Sequence, residues 1–278
     1  IADRLVAGEC LHRRVGGSVV AGGVGVRVGD RCGVEAVDDE VAGGGIGAAT
    51  ARLFAQEGAK LVLTDINFDA VSAIAAEIGG DTIALQHDVT SEISWQSIMD
   101  ATIKQFGQLD VLVNNAGILL VGDIAHTSLD DWKRVQAVNG DGVFLGCKLA
   151  VPLMEKNGGG SIVNISSNSA NMAISTFCAY SASKGLVRSL TKSIAAYCRE
   201  RGKNVRCNSV HPKGVATRMI TSMFDGLTDE TLRGQLMSKL CGPEDIAPML
   251  LFLASNDSKL ANGAEFTIDE AEGIHFKP

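Results

Sequence analysis

The sequence predicts an α/β protein, a single Rossmann-type domain built on a doubly wound parallel sheet and preceded by an irregular N-terminal segment. Three observations predict it. From about residue 43, short aliphatic runs alternate with amphipathic stretches, and strand–helix alternation implies right-handed crossovers and parallel strands. Hydrophobic residues make up 46% of the chain and aromatic residues only 5%, which suits aliphatic strands covered on both faces by helices. The length of 278 residues suits one large domain of this kind.

The elements follow in order. Ile46–Gln56 reads as a helix, with Ile46, Ala49, Leu53 and Phe54 near helical spacing and Gly58 closing it. Lys60–Asp65 (KLVLTD) is a short buried strand. Asn67–Ile78 is helical, with Ala70, Val71, Ile74 and Ile78 on one side and Gly79-Gly80 as the stop. Thr82–His87 is the next strand. Ser91–Phe106 is a helix whose first turn carries Glu92, favourable to the helix dipole. Leu109–Val113 is a strand of aliphatics around Asp110. Leu129–Met154 reads as one long helix, Ser161–Ser166 as a strand, Thr176–Arg201 as a second long helix and Asn204–Val210 as a strand. Asp229–Leu240 is helical, Pro243 opens a helix through Ala254, and Glu265–Ile268 is the last strand. Ligands of such sheets bind beyond the carboxyl ends of the strands.

Residues 1–40 stand apart as a Gly/Val/Arg-rich segment, with the folded domain assigned to residues 41–278. Val15–Val26 has neither helical nor alternating periodicity, and its glycines are costly in either element. Arg13-Arg14 invites an export-signal reading, which the glycine-broken stretch behind it opposes. A segment foreign to the original protein, or a misread one, has this character. The first strand is expected to be missing: Val34–Glu40 reads VEAVDDE with four acids, whereas a central parallel strand is nearly all apolar.

Composition excludes several function classes. A net charge of −7 argues against a nucleic-acid binder. The seven cysteines include no CxxC pair, which reads as reduced thiols in a cytoplasmic protein. The five histidines are dispersed, without HExxH, so no metal site is expected. No apolar run reaches the roughly 18 residues of a membrane helix.

The chemistry gathers around Tyr180-Ser181-Ala182-Ser183-Lys184. Tyr and Lys four apart share a helix face. A phenol with a pKa of about 10 is roughly 0.1% ionised at neutral pH, and lowering that pKa by about three units takes roughly 4 kcal/mol of differential stabilisation. A nearby ammonium favours the phenolate, which makes the pair a usable acid/base. Ser167, after the strand Ser161–Ser166, can donate to a substrate carbonyl, or simply cap a turn. Asn114-Asn115-Ala116-Gly117 gives a tight, small-residue turn after a strand, open to close approach by a flat ligand. Asn139, set between small residues in Val138-Asn139-Gly140-Asp141-Gly142, is a poor helix interior and marks a break. Asp65, 18 residues after Gly47 at the end of its strand, can accept hydrogen bonds from an adenosine ribose and would repel a 2′-phosphate.

In this order and spacing, NNAG, Asn139, Ser167 and YxxxK resemble the short-chain dehydrogenase/reductase family over about residues 43–270. The resemblance implies that Tyr180 is the catalytic acid/base and that Ser167 orients the carbonyl. Lys184 is implied to tune Tyr180 and hold the nicotinamide ribose, and Asn139 to support a water relaying protons to Lys184. Asn115, Ala116 and Gly117 would line the cofactor cleft, Asp88 and Val89 would contact adenine, and Pro212, Val215 and Thr217 would lie near the carboxamide. Lys213 stands where the family usually has Gly. The glycine loop would be Gly43, Gly45, Ile46 and Gly47. Against the family's TGxxxGxG pattern, Glu40 fills the Thr slot and Val41 the first Gly slot. The helix after Gly47 still offers its amides to a pyrophosphate. With Asp65, the implied cofactor is NAD.

The runs HDVTSE (87–92), NNAGILL (114–120), NSVHP (208–212) and LFLAS (251–255) are similar to bacterial hydroxysteroid dehydrogenases of the 3β/17β type. A hydroxysteroid or another apolar cyclic alcohol or ketone is the implied substrate, under a lid containing Met219, Ile220, Met223, Phe224 and Leu227. Two readings stand beside it, a 3-oxoacyl-thioester reductase and a cofactor-impaired relic without activity. The resemblance also implies a homotetramer or homodimer joined through the two long helices.

Overall fold

The computed structural model describes residues 32–36, 45–172 and 174–273. Among these, seven parallel strands form one sheet: β1 (Cys32–Ala36), β2 (Lys60–Asp65), β3 (Thr82–Gln86), β4 (Val111–Asn114), β5 (Gly160–Ile165), β6 (Val205–Pro212) and β7 (Glu265–Ile268). Their order across the sheet is β3-β2-β1-β4-β5-β6-β7. The winding reverses between β1 and β4, and a crevice opens at that switch point.

Strand sequence explains the two cores. Side chains alternate across a strand, so Leu61 and Leu63, Val111 and Val113, and Val163 and Ile165 face one layer. Val62, Leu112 and Ile162 face the other. The first layer is completed by helices α1 (Ile46–Gln56), α2 (Phe68–Ile78) and α9 (Pro243–Ala254) through Phe54, Ile74, Ile246, Leu250 and Leu253. The second is completed by α3 (Glu92–Phe106), α5 (Gly142–Lys156) and α6 (Cys178–Glu200) through Trp95, Met99, Met154 and Val187. The shorter helices are α4 (Leu129–Gln136), α7 (Arg218–Thr221) and α8 (Glu230–Met237).

Local signals set most boundaries. Asn67 caps α2 by accepting the Ala70 N–H at 3.1 Å, and Ser91 caps α3 through the Ser94 N–H at 3.2 Å. Asp229 caps α8 through the Leu232 N–H at 3.0 Å. A side-chain oxygen here satisfies a helix N–H that has no partner within its own helix.

Two expectations are corrected. The first strand is present: Cys32–Ala36 pairs with β2 from Cys32↔Lys60 to Ala36↔Thr64, and with β4 from Gly33↔Val111 to Glu35↔Val113. It begins upstream of the acidic run and ends at Ala36, so one acid, Glu35, lies within it rather than four. The sheet therefore starts before the division at residue 40. The single helix expected over 129–154 is interrupted. A π-helical turn, Ala137–Asp141, separates α4 from α5. Close packing accounts for the glycine that follows it: a Cβ on Gly142 would stand 3.1 Å from the Val89 side chain and 3.3 Å from its carbonyl oxygen.

Candidate active site

The carboxyl ends of β4, β5 and β6 open into one cleft that is open to solvent. Of the residues singled out in the sequence, it is lined by Ile46, Asn115, Gly117, Ser167, Tyr180, Lys184, Pro212, Val215 and Thr217. Tyr180 and Lys184 sit in the first two turns of α6. Lys184 is only 3% exposed. Its Nζ donates to the Ile165 carbonyl at 3.0 Å and lies 5.5 Å from the centre of the Tyr180 ring. Phe177 packs edge-on against that ring, centroids 6.4 Å apart. The ammonium is thus pinned beside the phenol rather than left to wander in solvent.

Ser167 leaves β5 in extended backbone and caps the short turn Asn168–Ala170. Its Oγ accepts the Ser169 N–H at 3.2 Å. The turn-cap role and a substrate role are compatible, because the hydroxyl proton is not used by that bond. Asn139 is fully buried in the π turn. Its Oδ1 accepts the Ile118 N–H at 2.8 Å, while its Nδ2 donates to the Ile118 carbonyl at 2.9 Å and to Ser183 Oγ at 3.0 Å. Ser183 Oγ in turn donates to the Tyr180 carbonyl at 2.7 Å. The π turn therefore places an amide that ties the segment after β4 to the helix bearing Tyr180. Widened helical turns of this sort concentrate at functional sites.

The residues fit a nicotinamide dinucleotide. Gly45 starts α1 and has no side chain with which to cap it, and the N-terminal amides of a helix suit an anion. Asn115 Nδ2 is buried in the cleft wall with no hydrogen-bond partner among the described residues. Gly117 permits close approach, since a Cβ there would stand 3.3 Å from Lys184 Nζ. Asp65, 5% exposed at the end of β2, accepts the Asn67 N–H through Oδ1 at 2.7 Å. Gly47 is buried at the start of α1. Val89 and Ala116 line a small neighbouring hollow with Trp95 and Asn114. Asp88 is exposed, and its Oδ1 is engaged by the Thr90 N–H and hydroxyl at 2.9 and 2.7 Å. Gly43 lies outside the described residues. Among the described residues no cluster of three or more His, Cys, Asp or Glu forms a metal site, and no helix is long and apolar enough to cross a membrane.

Lys213 lines the cleft and bonds Glu270 at 2.9 Å, which raises the lysine's pKa. Of the five lid residues, Met219 and Ile220 reach the cleft, whereas Met223 is 38% exposed. Sequence reasoning missed Leu119, Ile174 and Phe177 on the apolar wall and Asn168 and Ser169 beside Ser167. Only the proximity of the last two to Ser167 offered a signal.

His87, directly after β3, packs edge-on against Trp95 at 4.3 Å, and its Nδ1 lies 3.2 Å from Thr64 Oγ1. Burial pushes its pKa down from 6.5 to about 4. Between those values the unfolded chain holds a proton that the folded chain lacks. The contribution is therefore fully present above about pH 6.5 and lost as pH falls towards 4, a change of about 3 kcal/mol. Urea midpoints measured from pH 7 to pH 4.5 should fall, and His87→Asn should flatten the slope. A residual slope is expected because burial also lowers the pKa of His211. An unchanged slope in the variant would reject the assignment.

Comparison with known proteins places these features. Residues 41–274 match the family described as enoyl-(acyl carrier protein) reductase. A 3-beta-hydroxysteroid dehydrogenase of Comamonas testosteroni is 40% identical over 232 residues, covering 82% of this chain and 91% of that protein. An NADP-dependent (R)-specific alcohol dehydrogenase of Lentilactobacillus kefiri is 38% identical over 229 residues, covering 81% and 91%. Among solved structures, a 3-ketoacyl-(acyl-carrier-protein) reductase from Brucella melitensis complexed with NADH superposes with a TM-score of 0.78 at 26% identity, covering 89% of this chain and 100% of that one. Levodione reductase gives 0.82 at 26% identity, covering 89% and 99%. With sequence likeness spread over most of both chains and the same fold beneath it, the chain belongs to the short-chain dehydrogenase/reductase family and is an oxidoreductase of alcohols and ketones.

Proposed function

We propose that the protein uses NAD to interconvert a secondary alcohol and a ketone on an apolar ring, with a hydroxysteroid as the substrate class. The observation that carries this reading is the fixed pair Tyr180 and Lys184, 5.5 Å from ring centre to ammonium, in one cleft with Ser167. When bound, the dinucleotide supplies the hydride acceptor or donor. Ser167 Oγ donates to the substrate oxygen. Tyr180 accepts the hydroxyl proton during oxidation and returns it during reduction. Lys184 favours the ionised phenol and donates to the ribose, while Asn139 holds the Ile118 backbone and supports the water path to Lys184.

Gly45, Ile46 and Gly47 face the pyrophosphate, Asp65 the adenosine ribose, and Asp88, Val89, Asn115, Ala116 and Gly117 the remainder of the dinucleotide. Pro212, Val215 and Thr217 close the nicotinamide end. The wall of Leu119, Ile174, Phe177, Met219 and Ile220 supports an apolar substrate, as does the likeness to a hydroxysteroid dehydrogenase. The buried free thiols Cys147, Cys198 and Cys207 favour a reducing, cytoplasmic setting. The apolar face of Phe144, Val151, Leu190, Ile194 and Tyr197 across α5 and α6 supports a homotetramer or homodimer, which a mass of only 29.1 kDa by light scattering would oppose.

A 3-oxoacyl-thioester reductase is the second reading, favoured by the fold shared with a 3-ketoacyl-(acyl-carrier-protein) reductase. Turnover of a 3β-hydroxysteroid and of a 3-oxoacyl thioester, each with NAD(H) and NADP(H), separates the two. The expected result is NAD reduction with the steroid. No binding in a calorimetric titration up to millimolar NAD would end both readings and leave the relic.

A further inference from the structure

We infer that His211 is a positioning residue for Ser167, acting as a side-chain rung that continues the sheet where its backbone ladder stops. The inference rests on the proposed role of Ser167 as the donor to the substrate oxygen.

Strands β5 and β6 pair up to Ile165↔Val210, and the Ser166 N–H still donates to the Val210 carbonyl at 2.8 Å. Beyond that point the chain must leave the sheet to bring Ser167 into the cleft. His211, fully buried on β6, bridges the gap. Its Nδ1 lies 3.1 Å from the Ser167 carbonyl oxygen and its Nε2 lies 2.8 Å from Ser209 Oγ. A carbonyl oxygen only accepts, so the proton belongs on Nδ1. Nε2 is then left to accept the Ser209 hydroxyl proton. Burial keeps the imidazole neutral by lowering its pKa, which preserves this one-donor, one-acceptor tautomer.

The Ser167 carbonyl receives a second donor, the Ala170 N–H at 3.1 Å. That bond is internal to the loop and moves with it. Among the described residues, the bond from His211 ties the Ser167 carbonyl to a strand of the sheet. With the Ser169 N–H occupying an acceptor position on Ser167 Oγ, the hydroxyl's orientation follows from where this peptide is held. Displacing a reacting group by about 1 Å can cost about a hundredfold in rate.

The tests separate this role from folding and from the assigned activity. Imidazole nitrogen NMR of the full chain at neutral pH should show His211 protonated at Nδ1, and an Nε2–H tautomer would overturn the inference whatever the enzyme does. In steady-state oxidation of a 3β-hydroxysteroid with NAD, His211→Leu should lower kcat by about ten- to a hundredfold without moving the Kd for NAD. His211→Asn places an amide donor near the former Nδ1 and should recover most of the loss. On a Ser167→Ala background, His211→Leu should have little further effect, because both changes remove the same interaction. Additive losses, or no rescue by Asn, would overturn it. A wild-type chain that turns over no alcohol instead overturns the functional reading, with the tautomer still reporting on the rung. Should the Leu variant fail to fold, the Asn variant and wild-type NMR decide.

Discussion

Tyr180→Phe is expected to lower kcat by about three orders of magnitude while leaving NAD binding nearly unchanged. The substitution removes one oxygen and its proton and keeps the ring. The edge-on contact with Phe177 survives. Lys184 keeps its bond to the Ile165 carbonyl, which does not depend on the phenol. What is lost is the group proposed to take the alcohol proton as hydride leaves. Without it, that proton must pass to water in an apolar cleft. Stopped-flow and steady-state oxidation of a 3β-hydroxysteroid read the first effect, and calorimetric NAD titration reads the second. Turnover retained within about tenfold would refute the acid/base assignment, and loss of NAD binding together with turnover would indicate a cofactor role instead.

Much of this arrangement was legible in the chain because its signals are local. Asn67, Ser91 and Asp229 are helix caps set by the next three residues, and Tyr180 and Lys184 share a face through helical spacing alone. Three features were hidden for the converse reason. β1 is a short CGVEA stretch whose place is fixed by pairing with Lys60–Thr64 and Val111–Val113, and a short strand holding a glutamate carries little apolar signal of its own. Asn139 among Gly140 and Gly142 marks a break in the sequence, but the π form of that break is hidden, because the amphipathic pattern of 129–154 stays nearly intact and reads as one helix. Within the π turn, Asn139 grips the distant Ile118 backbone. His211 and Ser167 are separated by 44 residues, and only the adjacency of β5 and β6 brings them together. The sequence expected a serine at the strand end. What holds that serine was encoded one strand away.

Asp65→Ser is expected to raise the preference for NADPH over NADH, measured as a ratio of kcat/KM values, by about a hundredfold or more. Asp65 is 5% exposed, and one carboxylate oxygen is fixed by the Asn67 N–H at 2.7 Å. Neither Ile66 nor Phe68 supplies a positive charge beside it. A 2′-phosphate brought to about 4 Å would meet a repulsion of about 4 kcal/mol for each pair of unit charges at an effective dielectric of about 20, which corresponds to roughly a thousandfold before ionic screening. Serine removes the repulsion and weakens hydrogen bonding to the NAD ribose, so both factors of the ratio move the same way. The helix should survive, because Asn67 retains its own cap on Ala70. Similarity across the family does not decide this point, since a relative 38% identical to the chain is NADP-dependent. The proposal of NAD rests on the carboxylate of Asp65. A wild-type chain that prefers NADPH would reject the NAD assignment, and a ratio that fails to move would show that Asp65 does not face the ribose.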